Sequence, residues 1–507
     1  MAAVLLIAVI LLILIFCHFQ NVKRKNLPPG PTPWPLLGNF PALLWASFRG
    51  IPSIEVMKNW RKEYGNVYTF WMGPLPTVHI VDFKTAQDVY VRNADAHSGR
   101  MQMWQLEITR GNKGIVFAEG PEWQEQRRFS LKVLRDFGVG KNLMEDKILE
   151  EIRCRFEGLK EDIKASPDGR IIMDLAPFLE LLIGSVINSI LAGYRFDKNR
   201  EDEFFRLKHN LDKVNEANIL DLVLLNRTNI KWPFFKRRWE IMLEPMRFSE
   251  SFIRKLITDR QEAIEAGVYQ LDEAGSGNDY IDAYLIEMGR REREGESLSW
   301  FTIENMVMNM TDLWMAGMET TVTTLLWGFI YLVLQPEIQE KLRRHLLEET
   351  QGLRPVVLSD RLKIPYANAA ITELLRCSRI ANFALFHRVT EDTFVEGYLL
   401  PEGTLTVPQF SVILHDDEVF KDPETFDPER FMGDKMDQNV PAFGMGKRAC
   451  IGEGLARAEL FLVVMNMVQE FKFSVVPGED PPTRKALGEG ATMMHKPRPY
   501  KVQVELA

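Results

Sequence analysis

Ten residues near the C-terminal end, FGMGKRACIG (Phe443 to Gly452), hold one cysteine, three glycines and two adjacent basic residues. A lone cysteine in so constrained a turn can be filler, a nucleophile or a metal ligand. The fate of most free cysteines is structural burial. Here Phe443, Gly446, Arg448, Cys450 and Gly452 fit F-x-x-G-x-R-x-C-x-G. An amphipathic helical pattern, LARAELFLVVMNMVQEF, follows at once, which places Cys450 at a helix N-terminus. The dipole and free amides there favour a thiolate. The glycines let the backbone approach a flat, bulky group that a Cβ would block. Gly452-Glu453-Gly454 is only G-x-G and follows no strand, so it is not a dinucleotide fingerprint.

Other residues share this character of chemistry at fixed spacing. Glu373 and Arg376 in ELLR form an acid–base pair three apart on one helix face. Taken alone, such a pair is a solvated surface pair. Trp123 and Arg127 in WQEQRR lie four apart and share a face. AGMETT (Ala316 to Thr321) lies inside a helical run from about Thr302 to Leu334. Gly317 in mid-helix costs about 1 kcal/mol against Ala. Thr320 is spaced to bond back to the Ala316 carbonyl and bend that helix.

A thiolate beside a planar cofactor, accepting backbone hydrogen bonds, is the haem-thiolate arrangement. The chain resembles the cytochrome P450 family on these motifs, taken in order over nearly its whole length. The resemblance implies that Cys450 is the axial iron ligand of haem b, with Phe443 in its loop. Arg430 in PERF would join Glu373 and Arg376 in a buried triad that holds the cysteine loop. Arg100 (HSGR), Trp123, Arg127, His387 (FHRV) and Arg448 would meet the haem propionates, because a buried dianion needs several donors. Glu319 and Thr320 would deliver protons for O–O cleavage. Substrate-facing positions would be Phe117, Asp312, Ala316, Phe383, Leu385 and Met493. The stretch GIVFAEGPEWQEQRRFSLKVLRDFG is similar to animal microsomal drug- and steroid-oxidising members. Phe386 before His387, and the bulk of Trp314 and Met315, depart from those relatives and point to a differently shaped site.

The elements that must position these residues read as mainly α with small β-sheets, one large haem domain behind an N-terminal transmembrane helix. Residues 1–20 form the signal-anchor, 21–50 a basic and proline-rich linker, and 51–507 the catalytic domain. AAVLLIAVILLILIFCHF (Ala2 to Phe19) carries no formal charge and would span roughly 27 Å as a helix. Lys23 to Lys25 follow that run and no Lys or Arg precedes it. This order argues for a retained anchor with the body on the cytosolic side, not a cleaved signal. The sequons at Asn226 and Asn309 are therefore discounted. LPPGPTPWPLLGN, with five prolines, is a stiff connector. VYTFWMGPLPTVHIVD reads as a hairpin, residues 118–350 as mostly helical, and VEGYLLPEGTLTVP as short strands.

Composition sets limits. In 507 residues the formal net charge is -8, which excludes a global basic field for nucleic acid. The four cysteines form no CxxC or zinc-like spacing. A reducing compartment fits them.

The resemblance implies a monooxygenase of the endoplasmic reticulum membrane, inserting one atom of O2 into a small apolar substrate (steroid, fatty acid, terpenoid or xenobiotic). The chain shows no flavin or nicotinamide domain, so NADPH-derived electrons would come from NADPH–cytochrome P450 reductase, with cytochrome b5 as a second donor. Arg128, Lys132, Arg135 and Lys447 are candidate docking residues. The region from Phe204 to Phe252 would supply lid helices, with NILDLVLLN and WPFFKRRW touching membrane lipid. Two other readings stand beside this one: a haem-thiolate isomerase or dehydratase, and a non-enzymatic membrane haem or lipid binder.

Overall fold

The computed structural model describes residues 22, 24, 26–138, 143–215, 225–272, 277–433, 436–487 and 494–507. The anchor run and Met493 lie outside these residues.

In chain order the elements that matter are α1 (Ser53–Tyr64), β1 (Val67–Met72), β2 (Leu75–Ile80), β3 (Gly99–Arg100), α2 (Gly120–Gly138), α3 (Leu143–Ala165) and β4 (Arg170–Asp174). Then come α4 (Leu175–Ala192), α5 (Glu201–Asn215), α6 (Pro233–Glu265), α7 (Tyr280–Glu294), α8 (Ile303–Leu334), α9 (Pro336–Thr350) and α10 (Pro365–Ser378). β5 (His387–Arg388), β6 (Thr393–Val395), β7 (Tyr398–Leu400), β8 (Leu405–Pro408), α11 (Glu453–Glu470), β9 (Phe471–Ser474) and β10 (Lys501–Leu506) complete the set. The mainly α architecture with small sheets is thus observed.

The chain divides into two compact units. The first comprises residues 1–101, 369–450 and 483–498. It carries a five-stranded sheet in the order β1-β2-β8-β5-β3. β1 and β2 form the expected hairpin, which turns at Gly73, a glycine with φ of 58°. β8 joins β2 in parallel. β5 lies antiparallel to both β8 and β3, in a register that sets Arg100 opposite His387. The core beside this sheet packs Trp60 and Met57 of α1 on Tyr68 and Phe70 of β1.

The second unit comprises residues 102–368, 451–482 and 499–507. It holds most of the helices and the antiparallel sheet β4-β10-β9. α8 begins at an N-cap where the Thr302 side chain accepts from the Asn305 amide, satisfying one of the free first-turn donors. α4 and α8 are long and apolar enough to cross a membrane, yet both are mostly buried in the protein. They are core helices, apolar over most of their surface because protein covers most of it.

α11 departs from expectation. It is not amphipathic: residues 458–469 are all buried, since α3, α8 and α9 pack around it. It also starts at Glu453, with Gly452 as N-cap. Cys450 therefore precedes the first helical residue by three positions and lies outside the first turn, where the dipole acts most strongly.

Candidate functional site

In the first unit the cysteine loop is built from turns. Gly444 N donates to Pro441 O at 3.0 Å, Ala449 N to Gly446 O at 3.1 Å, and Cys450 N to Phe443 O at 2.8 Å. Gly444 and Gly446 have φ of 73° and 70°, a region that favours glycine. A Cβ on Gly446 would sit 1.6 Å from the Tyr90 carbonyl oxygen. Gly446→Ala is accordingly expected to cost roughly 2–5 kcal/mol, from left-handed strain and overpacking together. Gly454→Ala meets nothing within 4 Å and should be neutral or stabilising by up to about 1 kcal/mol. Denaturant unfolding of the two variants checks the contrast.

The cysteines separate cleanly. Cys154 is half-buried and its Sγ accepts from Arg195 Nη1 at 3.1 Å. Cys377 is buried, accepts from Arg376 Nη2 at 2.9 Å, and has its thiol pKa pushed well up, by burial first and then by Glu373. Cys450 is the exposed cysteine among the described residues.

The same unit gathers positive charge. Arg100 and His387 are both buried. Arg100 Nη1 donates to Leu385 O at 3.1 Å and Arg448 Nε to Ser98 O at 2.8 Å. His387 Nδ1 bonds His97 O at 2.7 Å. Its pKa is held well below the usual range, by burial first and then by Arg100, with Arg448 adding to the effect. Two guanidiniums thus converge on a neutral buried imidazole. Such a donor set suits a group with carboxylates. Phe383 and Leu385 are half-buried nearby in sequence, and the Phe383 ring lies 5.6 Å from Phe386.

The acid–base pair of ELLR is wholly buried, contrary to the surface reading that spacing alone favours. Arg376 Nε donates to Glu373 Oε2 at 2.6 Å and Nη2 to Oε1 at 2.8 Å. Arg376 Nη1 also reaches Leu414 O and Pro423 O. Arg430 Nε completes the triad, 3.2 Å from Glu373 Oε1, and the Asp427 amide donates to the same oxygen. The triad ties α10 to the loop that leads into PERF.

In the second unit, Arg127 lies over the Trp123 ring, with Cζ 6.0 Å from its centroid, as the shared face requires. The indole Nε1 donates to Ile115 O at 3.1 Å, so this N–H braces its own chain. Asp312 is similarly occupied. Its Oδ1 takes Arg110 Nη2 at 2.5 Å, and its Oδ2 takes the amides of Ile115 (2.8 Å) and Val116 (3.0 Å). This carboxylate shapes the loop that carries Phe117, whose ring lies under Arg110. The pocket-facing position read from sequence is instead a loop anchor.

On α8, Thr320 Oγ1 donates to Ala316 O at 2.6 Å, the back-bond that the spacing implied. Ala316 is exposed in a helix that is mostly buried. Gly317 has a packing reason: a Cβ there would meet Ile187 Cδ1 at 2.7 Å, where α4 crosses α8. Trp314 is buried 6.5 Å from the Phe204 ring of α5. The Asn309 sequon is buried too, its amide donating to Gln126 Oε1.

One acid here escaped the sequence reading. Glu459 of α11 is fully buried and accepts from Thr321 Oγ1 at 3.2 Å. Burial raises its pKa to about 8, against a lowering by that hydrogen bond. The folded state therefore keeps a proton that the unfolded chain releases near pH 4.5. Between those values stability falls as pH rises, at about 1.4 kcal/mol per pH unit. Glu459→Gln should remove that slope and leave the variant more stable than the parent at pH 8. Denaturant unfolding at pH 5, 6.5 and 8 checks it.

The family model described as Cytochrome P450 matches residues 28–504. The chain belongs to the cytochrome P450 family. It is 36% identical over 457 residues to probable cytochrome P450 cyp-35D1 of Caenorhabditis elegans, with 89% of each chain covered. It is 34% identical over 463 residues to cytochrome P450 2C20 of Macaca fascicularis, covering 90% of each. Cytochrome P450 2U1 of Homo sapiens matches at 33% over 486 residues, 89% of this chain and 85% of that one. The protein is thus a P450 monooxygenase, an oxidoreductase of haem iron with thiolate ligation.

Proposed function

We propose that the protein is a membrane-anchored monooxygenase that oxidises a small apolar substrate, and that the Cys450 thiolate would hold the iron of haem b. The observation that carries this is the cysteine loop, where the exposed Cys450 sits in a turn held by main-chain bonds and by Gly446, which approaches the Tyr90 carbonyl too closely for any Cβ. Bound there, haem supplies the iron at which O2 is activated and one oxygen atom passes to the substrate.

The chain's own residues hold and protonate. Arg100 and Arg448 would hold the propionates, with Arg127 contributing from α2. Burial and the neighbouring guanidiniums keep His387 neutral, and its one N–H, on Nδ1, goes to His97 O, as the Trp123 N–H goes to Ile115 O, so these two rings position the arginines' surroundings rather than donate to a carboxylate. Phe117, Ala316, Phe383 and Leu385 would face substrate. On α8 the Thr320 hydroxyl can leave the Ala316 carbonyl to hold a water, and Glu319 then relays protons towards it.

Electrons come from NADPH through a separate reductase, with cytochrome b5 as a second donor. Arg128, Lys132 and Arg135 support docking: all three are exposed at helical spacing on α2. Lys447 pairs with Asp95. The run from Ala2 to Phe19 anchors the protein in the endoplasmic reticulum membrane. Exposed Trp232, Phe234 and Ile241, at and after the start of α6, support a lipid-facing lid.

Thr320→Ala tests the proton route. Supplied with NADPH and reductase, the variant should release more peroxide per NADPH consumed, by about tenfold or more, given the 10²–10⁴-fold that positioned proton transfer contributes. An unchanged ratio would remove Thr320 from the mechanism. NADPH-dependent oxygen uptake separates this reading from an isomerase or a haem binder.

A further inference from the structure

Lys208 is only 6% exposed. It sits on the apolar face of α5, among Phe204, Leu207 and Leu211, all buried. An apolar residue would continue that stripe without the cost of burying a charge. Its ammonium instead meets three carboxylates from three helices. Nζ lies 2.5 Å from Asp212 Oδ1 on α5, 3.0 Å from Glu180 Oε1 on α4 and 3.6 Å from Glu319 Oε2 on α8. The frame around it is closely packed. A Cβ on Gly184 of α4 would fall 2.2 Å from Phe204 Cε2, and the Phe204 ring neighbours Trp314 of α8. Small shifts of α5 therefore move the ammonium relative to Glu319.

One cation among three acids leaves the cluster short of positive charge. Burial raises the Glu180 pKa; Lys208 opposes this, while Asp212 and Glu319 add to it. Burial lowers the Lys208 pKa, but Glu319, then Glu180 and Asp212, outweigh it and hold the value above the ordinary one, so the ammonium persists. Glu319 is the residue next to Thr320.

We propose that Lys208 is a positioning residue for Glu319, fixing that carboxylate's orientation beside Thr320 and tying it to α5, with Glu180 and Asp212 as counter-charges. This rests on the reading that Glu319 and Thr320 handle protons.

The test uses the full-length holoprotein with reductase and NADPH and no added substrate, following peroxide released per NADPH consumed from pH 6 to 9. Lys208→Met is expected to raise the ratio several-fold and to move its pH dependence upward, because the carboxylates lose the cation that favours their charged forms. Lys208→Arg should restore both. In a Glu319→Gln background, Lys208→Met should add nothing. Hydrogen exchange of the α5 amides, measured without turnover, should change only around residue 208.

A parental ratio and pH profile in Lys208→Met, with Glu319→Gln altered, would overturn the proposal while sparing the proton reading. So would faster exchange along all of α5 with an unmoved pH profile, or an equal Lys208→Met effect in the Glu319→Gln background. A silent Glu319→Gln would remove both readings, and that failure shows in Glu319→Gln alone.

Discussion

Cys450→Ser is expected to lose NADPH-dependent oxygenation by far more than the roughly 10–100-fold that removal of an outer-shell partner costs a metal site. A serine oxygen fits the loop sterically, because the turn is held by main-chain bonds such as Cys450 N to Phe443 O. Folding should be close to unchanged. The loss is chemical: a hydroxyl is too weak an acid to replace the anionic, electron-donating thiolate that Cys450 would offer haem iron. Cys377→Ser is the matched control. Its sulfur is buried, and burial raises its pKa, so activity should survive a modest loss of stability. Product formation and unfolding, measured on both variants, check the pair. Equal retention of activity would exclude Cys450 as ligand.

Arg376→Lys should be severe although it conserves charge. Arg376 spreads its donors over Glu373, Leu414 O, Pro423 O and Thr425 O. An ammonium has three donors in a different geometry and cannot span both the carboxylate and the loop carbonyls. Both Glu373 and Arg376 side chains are fully buried. Breaking such a pair costs about 3–5 kcal/mol, a large share of the ~5–15 kcal/mol that holds a typical protein folded. Little folded protein should accumulate at 37 °C. Arg430→Ala removes one bond to Glu373 from a half-buried side chain and should cost closer to about 1–2 kcal/mol. Denaturant midpoints rank the two. A midpoint for Arg376→Lys no lower than that for Arg430→Ala would refute the account of the triad.

What could be read from the sequence was local. The hairpin, the Thr320 back-bond and the Trp123–Arg127 face all follow from spacings of a few residues. The fold followed because periodicity reports which face is apolar. Asp312 and Glu459 were harder, as were Glu180 and Glu319 beside Lys208, because these partners lie far apart along the chain. Asp312 is engaged by Arg110, 202 residues before it. Glu459 meets Thr321 across 138 residues. Each sits at an apolar helical position, and that was the available signal: a charged residue in a core stripe must have a partner. Lys208 between Leu207 and Leu211 shows it most plainly. The burial of α11 was missed because its scattered Glu, Arg, Asn and Gln imitate a polar face. In the structure Asn466 and Gln469 are consumed by the main chain at Val356 and Arg354.

The central claim is that Cys450 binds haem iron as a thiolate. The most direct test is the carbon monoxide difference spectrum of the reduced, detergent-solubilised full-length protein, recorded beside Cys450→Ser. The account predicts a strongly red-shifted Soret band in the parent and its absence in the variant. Haem bound with the same spectrum in Cys450→Ser would contradict it.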